Sequence, residues 1–225
     1  MNNSLFNGAL LTCATALVAT IALGHGDMTP QAVDTKGLPE VGEEWLAENP
    51  YRNAEGDVRA RAIEVGAAGF NSNCARCHGL EAISGGLAPD LRYLEPSAWG
   101  DEWYLERFRS GYTQNGVTKM PSFEGLLSQE AAWAIRTYAE TRPDLDQLEA
   151  IASERRSLMQ KVDEAAGDPA TLSALADELA ALSETVATAY GEGTADTPMA
   201  RAAVLLRASP EAAEKAVSVL ADGLD

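Results

Sequence analysis

Cys74-Ala75-Arg76-Cys77-His78 is the stretch on which the reading of this 225-residue chain turns. Two thiols at that spacing can add across the two vinyl groups of a haem, and the adjoining imidazole then lies beneath the iron. Competing chemistries fail on ligand supply or on context. Zinc wants four ligands, yet outside this run the chain has only Cys13 and His25 as further cysteine or histidine, both near the N-terminus. A thioredoxin-like pair needs a βαβ setting, and no strand-rich stretch precedes Cys74. A disulfide between residues three apart would close a small, strained ring. The run therefore points to one covalently held haem c, with Cys74 and Cys77 as the thioether residues and His78 as the proximal iron ligand.

A six-coordinate carrier needs a ligand on the other haem face, and the candidates are His25, Met28, Met120, Met159 and Met199. Met120 fits best. It stands 42 residues after His78 in a glycine-rich polar loop, residues 111–121, and Pro121 stiffens the chain just beyond it. Met159 and Met199 fall on helical stretches and read as packing residues. A thioether opposite an imidazole favours ferrous iron and raises the reduction potential. The second ring nitrogen of His78 needs an acceptor, and the carbonyl of Pro89, in the tight loop 85–91, is the candidate; the same proline also reads as an ordinary turn residue. Arg92, with Tyr93 and Trp99 nearby, is the candidate donor to a haem propionate.

Helical signals flank the motif. Residues 57–70 place Val58, Ala62, Val65, Gly66 and Phe70 along one face. A second helix starts after Ser128 as N-cap, runs through Trp133 and Tyr138, and stops at or before Pro143. Gly66 predicts a close crossing of these two helices near Trp133 and Tyr138. Residues 103–109 suggest a middle helix with Leu105 and Phe108 inward and Gly111 at its end. No period-2 strand pattern of useful length is visible.

Upstream, Leu5 to Gly24 is apolar but broken by threonine and small residues, and Ala22-Leu23-Gly24 suits a signal peptidase. Residues 1–24 are read as a signal peptide, leaving no stable membrane span after cleavage and placing the product in the periplasm. Cleavage also removes Cys13, so that only the two thiols haem consumes remain. The alternatives are a retained anchor, since the segment lacks Lys and Arg, and a lipoprotein cysteine at Cys13 with a poor lipobox. The formal net charge of −17 argues against nucleic-acid binding and adhesion to anionic lipid.

Residues 25–56, punctuated by Pro30, Gly37, Pro39, Gly42, Pro50 and Gly56, read as an extended arm pinned by Trp45 and Tyr51. Residues 57–143 read as the haem domain and residues 144–225 as an acidic helical tail. In the tail, Leu148, Ile151, Leu158 and Val162 recur at a/d spacing, interrupted by Arg155. After a turn at Gly167 and an Asp168-Pro169 start, Leu172, Leu175, Leu179, Leu182 and Val186 continue the stripe. Thr197-Pro198 and Ser209-Pro210 open two short helices, and residues 191–194 mark a hinge before them. The stripe is read either as a docking or dimerisation surface or as helices folded back on the haem domain.

The helix with Gly66 and Phe70, the Cys74-x-x-Cys77-His78 run, Pro89, Met120-Pro121 and the helix with Trp133 and Tyr138 together resemble class I cytochromes c. The stretches 25–37, 49–52 and 73–86 look like the c550-type cytochromes associated with quinoprotein alcohol dehydrogenases, and the resemblance covers about residues 25–143. It implies an all-α class I cytochrome c fold around one haem. It also implies a periplasmic carrier taking single electrons from a dehydrogenase that holds pyrroloquinoline quinone (PQQ) and passing them toward a terminal oxidase or another cytochrome. The cofactor would carry the chemistry, so the expectation is a carrier rather than an enzyme. Other readings are a general carrier for another donor, a haem-bearing subunit docked through the tail, and a haem protein with an open iron site.

Overall fold

The computed structural model describes residues 30–224; the segment read as a signal peptide, Cys13, His25 and Met28 lie outside the described residues. The fold is all-α apart from one small hairpin. Helix α1 (Gly56–Asn73) leads to the single turn α2 (Ala75–His78), α3 (Ala98–Ser110), strands β1 (Tyr112–Gln114) and β2 (Val117–Met120), and α4 (Gln129–Glu140). The tail adds α5 (Leu145–Ala150), α6 (Ala152–Glu164), α7 (Pro169–Ser183), α8 (Pro198–Ala208) and α9 (Ala213–Ala221).

Helix α1 buries Ala62, Val65, Gly66, Gly69 and Phe70, which share one face at a 3.6-residue period. Helix α4 begins where expected: the Ser128 hydroxyl accepts from the Ala131 N–H at 3.2 Å. Nearly all of α4 is buried, because α1, α3 and the arm surround it. The α1–α4 crossing depends on Gly66. A Cβ there would stand 2.0 Å from the Ala134 carbonyl oxygen and 2.8 Å from the Tyr138 Cβ. Phe70 and Tyr138 pack across the crossing with centroids 5.4 Å apart, a tilted pair worth about 1 kcal/mol beyond its buried area.

Helix α3 is longer than expected. Phe108 is buried as foreseen, Tyr104 is buried as well, and Leu105 is only half-buried. The hairpin is a correction to the strand-free reading. Asn115, at φ 51, and Gly116, at φ 75, form its turn between paired β1 and β2, and Asn-Gly is the dipeptide such a turn favours.

The arm is lashed to α4 by side chains. The Gln129 amide donates to the carbonyls of Gly42 and Glu44 and accepts from the Leu46 N–H at 2.6 Å. The Tyr51 hydroxyl donates to the Pro39 carbonyl at 3.1 Å, and Trp45 packs on Phe108.

The tail has its own apolar cluster, with Leu172, Leu179, Met199, Leu206 and Leu220 fully or almost fully buried. Asp168 caps α7 with Pro169 at its first position, and Thr197 caps α8 in the same way. Helix α7 packs mainly on α8, and α6 on α9, so the leucine stripe lies inside the tail's own bundle. Arg155 does not interrupt that core. Its guanidinium is buried and donates to the carbonyls of Leu220, at 2.8 Å, and Asp222, closing the last turn of α9. The tail meets the haem domain along one seam. Ala189 N–H donates to the Arg142 carbonyl and Asp196 N–H to the Thr141 carbonyl, both at 2.8 Å. Arg142 pairs with Asp196 and lies over the Tyr138 ring.

Candidate functional site

The attachment run is a single helical turn set off from α1 by a kink at Cys74. His78 N–H and Cys77 N–H both donate to the Cys74 carbonyl, at 2.9 and 3.1 Å. Residues three apart share a helix face, so this turn presents both sulfurs on one side. Neither thiol is in a disulfide; Cys74 is half-buried against the aromatic cluster and Cys77 is exposed. Burial, with the neighbouring Cys77 adding to it, pushes the Cys74 thiol up to about 12, so it stays protonated at neutral pH.

The chain then reverses at Gly79, at φ 81, where a Cβ would overlap the Ile83 carbonyl oxygen at 1.8 Å. The returning loop is tied internally. The Ser84 hydroxyl donates to the Ala88 carbonyl, and Ser84 N–H donates to the Asp90 carboxylate at 3.3 Å. This loop brings the Pro89 carbonyl oxygen to 2.8 Å from Nδ1 of the buried His78. Burial lowers the His78 pKa, with the Pro89 carbonyl and Asp90 acting against that shift. A neutral imidazole that donates from Nδ1 keeps a lone pair on Nε2 for a metal.

Met120 ends β2, opposite Tyr112 in the hairpin, and packs half-buried against the cluster that also receives Cys74. The chain beyond it is anchored to the end of α3: the Ser122 hydroxyl donates to the Arg109 carbonyl and Phe123 N–H to the Phe108 carbonyl at 2.9 Å. Met199 is buried in the tail core and Met159 packs against it. Among the described residues, Met120 is thus the methionine that shares a cluster with the attachment turn.

Arg92 is turned inward onto Asp90, with Nε–Oδ1 3.0 Å and Nη2–Oδ2 2.8 Å, and among the described residues Nη1 has no hydrogen-bond partner. Tyr93 and Trp99 are exposed.

Absent from the sequence reading is a buried set of charges behind the site. Asp101 and Arg136 are fully buried; Arg52 reaches Asp101 at 2.6 Å and Glu140 at 3.0 Å, and Arg136 reaches Asp101 at 3.1 Å. Asn49 joins through its N–H to Asp101 and its amide to Glu140. Apart from the i,i+4 spacing of Arg136 and Glu140 on α4, nothing in a one-dimensional pattern marks these four charges as partners, since they come from the arm, α3 and α4.

The donor set fits a covalent haem. Two thiols in one turn, an oriented imidazole and a thioether on the same cluster are one macrocycle's complement of attachments. Nine of the eleven exposed large apolar side chains among the described residues lie between Leu46 and Leu126, so the loops of this half leave apolar surface that a porphyrin could cover. No group of three or more His, Cys, Asp or Glu side chains among the described residues could hold a metal ion by itself. No described helix is long and apolar enough to cross a membrane.

Comparison with known proteins relates the chain to cytochromes. Residues 61–138 match the family model described as cytochrome c oxidase, cbb3-type, subunit III. The chain is 52% identical over 143 residues to cytochrome c550 of Pseudomonas aeruginosa, covering 63% of this chain and 97% of that relative. It is 37% identical over 77 residues to a quinohemoprotein alcohol dehydrogenase of Pseudomonas putida, of which it spans only 10%. No solved structure matches the chain.

Proposed function

Since this chain belongs to the c-type cytochromes of the cytochrome c550 group and binds haem c, we propose that it is a periplasmic monohaem electron carrier. Its donor is a PQQ-dependent alcohol dehydrogenase, and its electrons pass on toward a terminal oxidase. Bound haem supplies one-electron exchange at its iron. In this reading the chain's own residues hold and tune that group. Cys74 and Cys77 would carry the thioether links, and His78 would offer Nε2 to the iron while Pro89 orients its ring. Met120 would offer its thioether to the iron, a ligand type that raises the potential. Arg92 offers its remaining N–H edge to a propionate. No side chain is asked for acid–base or nucleophilic work.

The observation that carries the reading is the 2.8 Å contact from His78 Nδ1 to Pro89, made by a histidine that directly follows two free thiols. Support for the donor comes from the likeness of 77 residues to part of a protein named as a quinohemoprotein alcohol dehydrogenase. A second reading, a haem-bearing subunit of a respiratory complex, is favoured by the oxidase-subunit description of the matching family model. Rapid mixing of the oxidised protein with a PQQ dehydrogenase and alcohol tests the first. Haem reduction on the timescale of turnover, about 1–1,000 s⁻¹, is expected. No reduction by that mixture, with prompt reduction by a different respiratory donor, would refute the proposed donor. Met120→Ala should leave the covalent haem in place and open the iron to carbon monoxide; a variant that still excludes the gas removes Met120 from the ligand set.

A further inference from the structure

Arg136 projects from the middle of α4 with its guanidinium wholly buried, and its partners are mostly carbonyls. It donates to the Glu95 carbonyl at 2.5 Å and to the Leu94 carbonyl from two nitrogens at 3.3 Å, while Nε meets Asp101 at 3.1 Å. Leu94 and Glu95 end the turn that begins at Pro89. Within it, the Asp90 carboxylate accepts from Arg92 N–H, Tyr93 N–H donates to the Asp90 carbonyl, and Leu94 N–H donates to the Leu91 carbonyl. The segment from 90 to 94 is thus hydrogen-bonded along its length and follows Pro89 directly in the chain. Gly100 keeps the anchor open: a Cβ there would sit 1.9 Å from the Glu95 carbonyl oxygen and 3.3 Å from the Arg136 Nη2. Asp101 in turn holds Arg52 and Asn49 of the arm, so the arm fixes the guanidinium from behind.

We propose that Arg136 is a positioning residue for electron transfer: by gripping the Leu94 and Glu95 carbonyls it holds the turn that presents Pro89 to His78, and so tunes the reduction potential. The inference rests on the reading of His78 as the iron ligand. The physical link is imidazole basicity. A strong Nδ1–H to carbonyl bond makes the ring a better donor and stabilises ferric iron, so loosening the turn raises the potential. Lysine cannot replace the fork, because one ammonium cannot span two carbonyls and a carboxylate with the same geometry.

The test uses the haem-loaded full chain with Arg136→Lys and, from the opposite side of the contact, Gly100→Ala. Both are expected to raise the midpoint potential and to speed exchange of the His78 Nδ1 proton, followed by NMR, by about tenfold or more. Leu179→Ala in the tail serves as a destabilised control and should move neither readout. Either folded variant that keeps the parent potential and the parent proton protection overturns the proposal. A ferric parent protein whose His78 ring shows no hyperfine shift would instead overturn the ligand reading beneath it.

Discussion

Residues 57–143 hold their interior together with aromatic rings and buried charges, whereas residues 144–224 do so chiefly with leucine and alanine. In the haem domain Phe108 touches Trp45, Tyr104 and Phe123 at centroid distances of 5.3–6.2 Å, and irregular loops are pinned one by one by directional bonds. In the tail, capped helices bury a continuous leucine stripe, and Arg155 is spent closing a helix end. Exposed large apolar residues tell the same story. Only Leu145 and Val204 belong to the described tail, while the other nine lie on the arm and haem domain. One region is built to be completed by a prosthetic group and the other is complete by itself. Buried ion pairs add little net stability against apolar replacements, yet breaking one is expensive, so the haem domain's charge set secures one loop arrangement more than it deepens the fold.

The contrast breaks most sharply at the helix crossing. Gly66→Val places branched carbon atoms where the Ala134 carbonyl already sits, and α1 and α4 cannot separate without dismantling the domain. A loss of about 4 kcal/mol or more is expected, seen by calorimetry as removal of the haem-domain transition with the tail transition retained. Loss of both together would show that the two cores are one cooperative unit. The tail's counterpart is Leu179→Ala. Removing a fully buried leucine should cost about 2–5 kcal/mol and leave the visible spectrum unchanged; a changed spectrum would mean that the tail packing reaches the haem. The gentlest probe is alkaline titration of Tyr51. Burial, with Glu130 adding to it, pushes its hydroxyl up to about 12. The unfolded chain releases that proton near 10 and the folded chain holds it. Tyr51 therefore contributes its full stability below pH 10 and loses it progressively between about 10 and 12. Tyr51→Phe should flatten that decline in chemical-denaturation midpoints taken across the range, and an undiminished slope would assign the loss to other groups.

Much of the site was legible because it is local. Two thiols and a histidine within five residues, a proline 11 positions on, and Ser128 three residues before an N–H it caps are contacts that backbone geometry nearly dictates at short range. The tail's stripe was legible for the same reason, since a 3.6-residue period is written directly in residue order. The hairpin is not legible from periodicity although Asn115-Gly116 suits its turn, because its strands are short, mostly exposed and carry no alternating apolar face. Arg155 read as a break in the stripe because a charge in a core makes sense only once the carbonyls that receive it are known.

By itself the chain's order of residues determined the turn from Cys74 to His78, the two crossing helices and the capped tail helices, all of which arise from neighbours a few positions apart. Tertiary structure alone decided that Arg52, Asp101, Arg136 and Glu140 would meet, that Arg136 would hold the turn leading to Pro89, and that the leucine stripe would be used up within the tail. Those outcomes join residues up to 88 positions apart. At such separations the pairing is selected by burial, which makes any unpartnered charge or carbonyl costly, and no local periodicity records which partner was chosen.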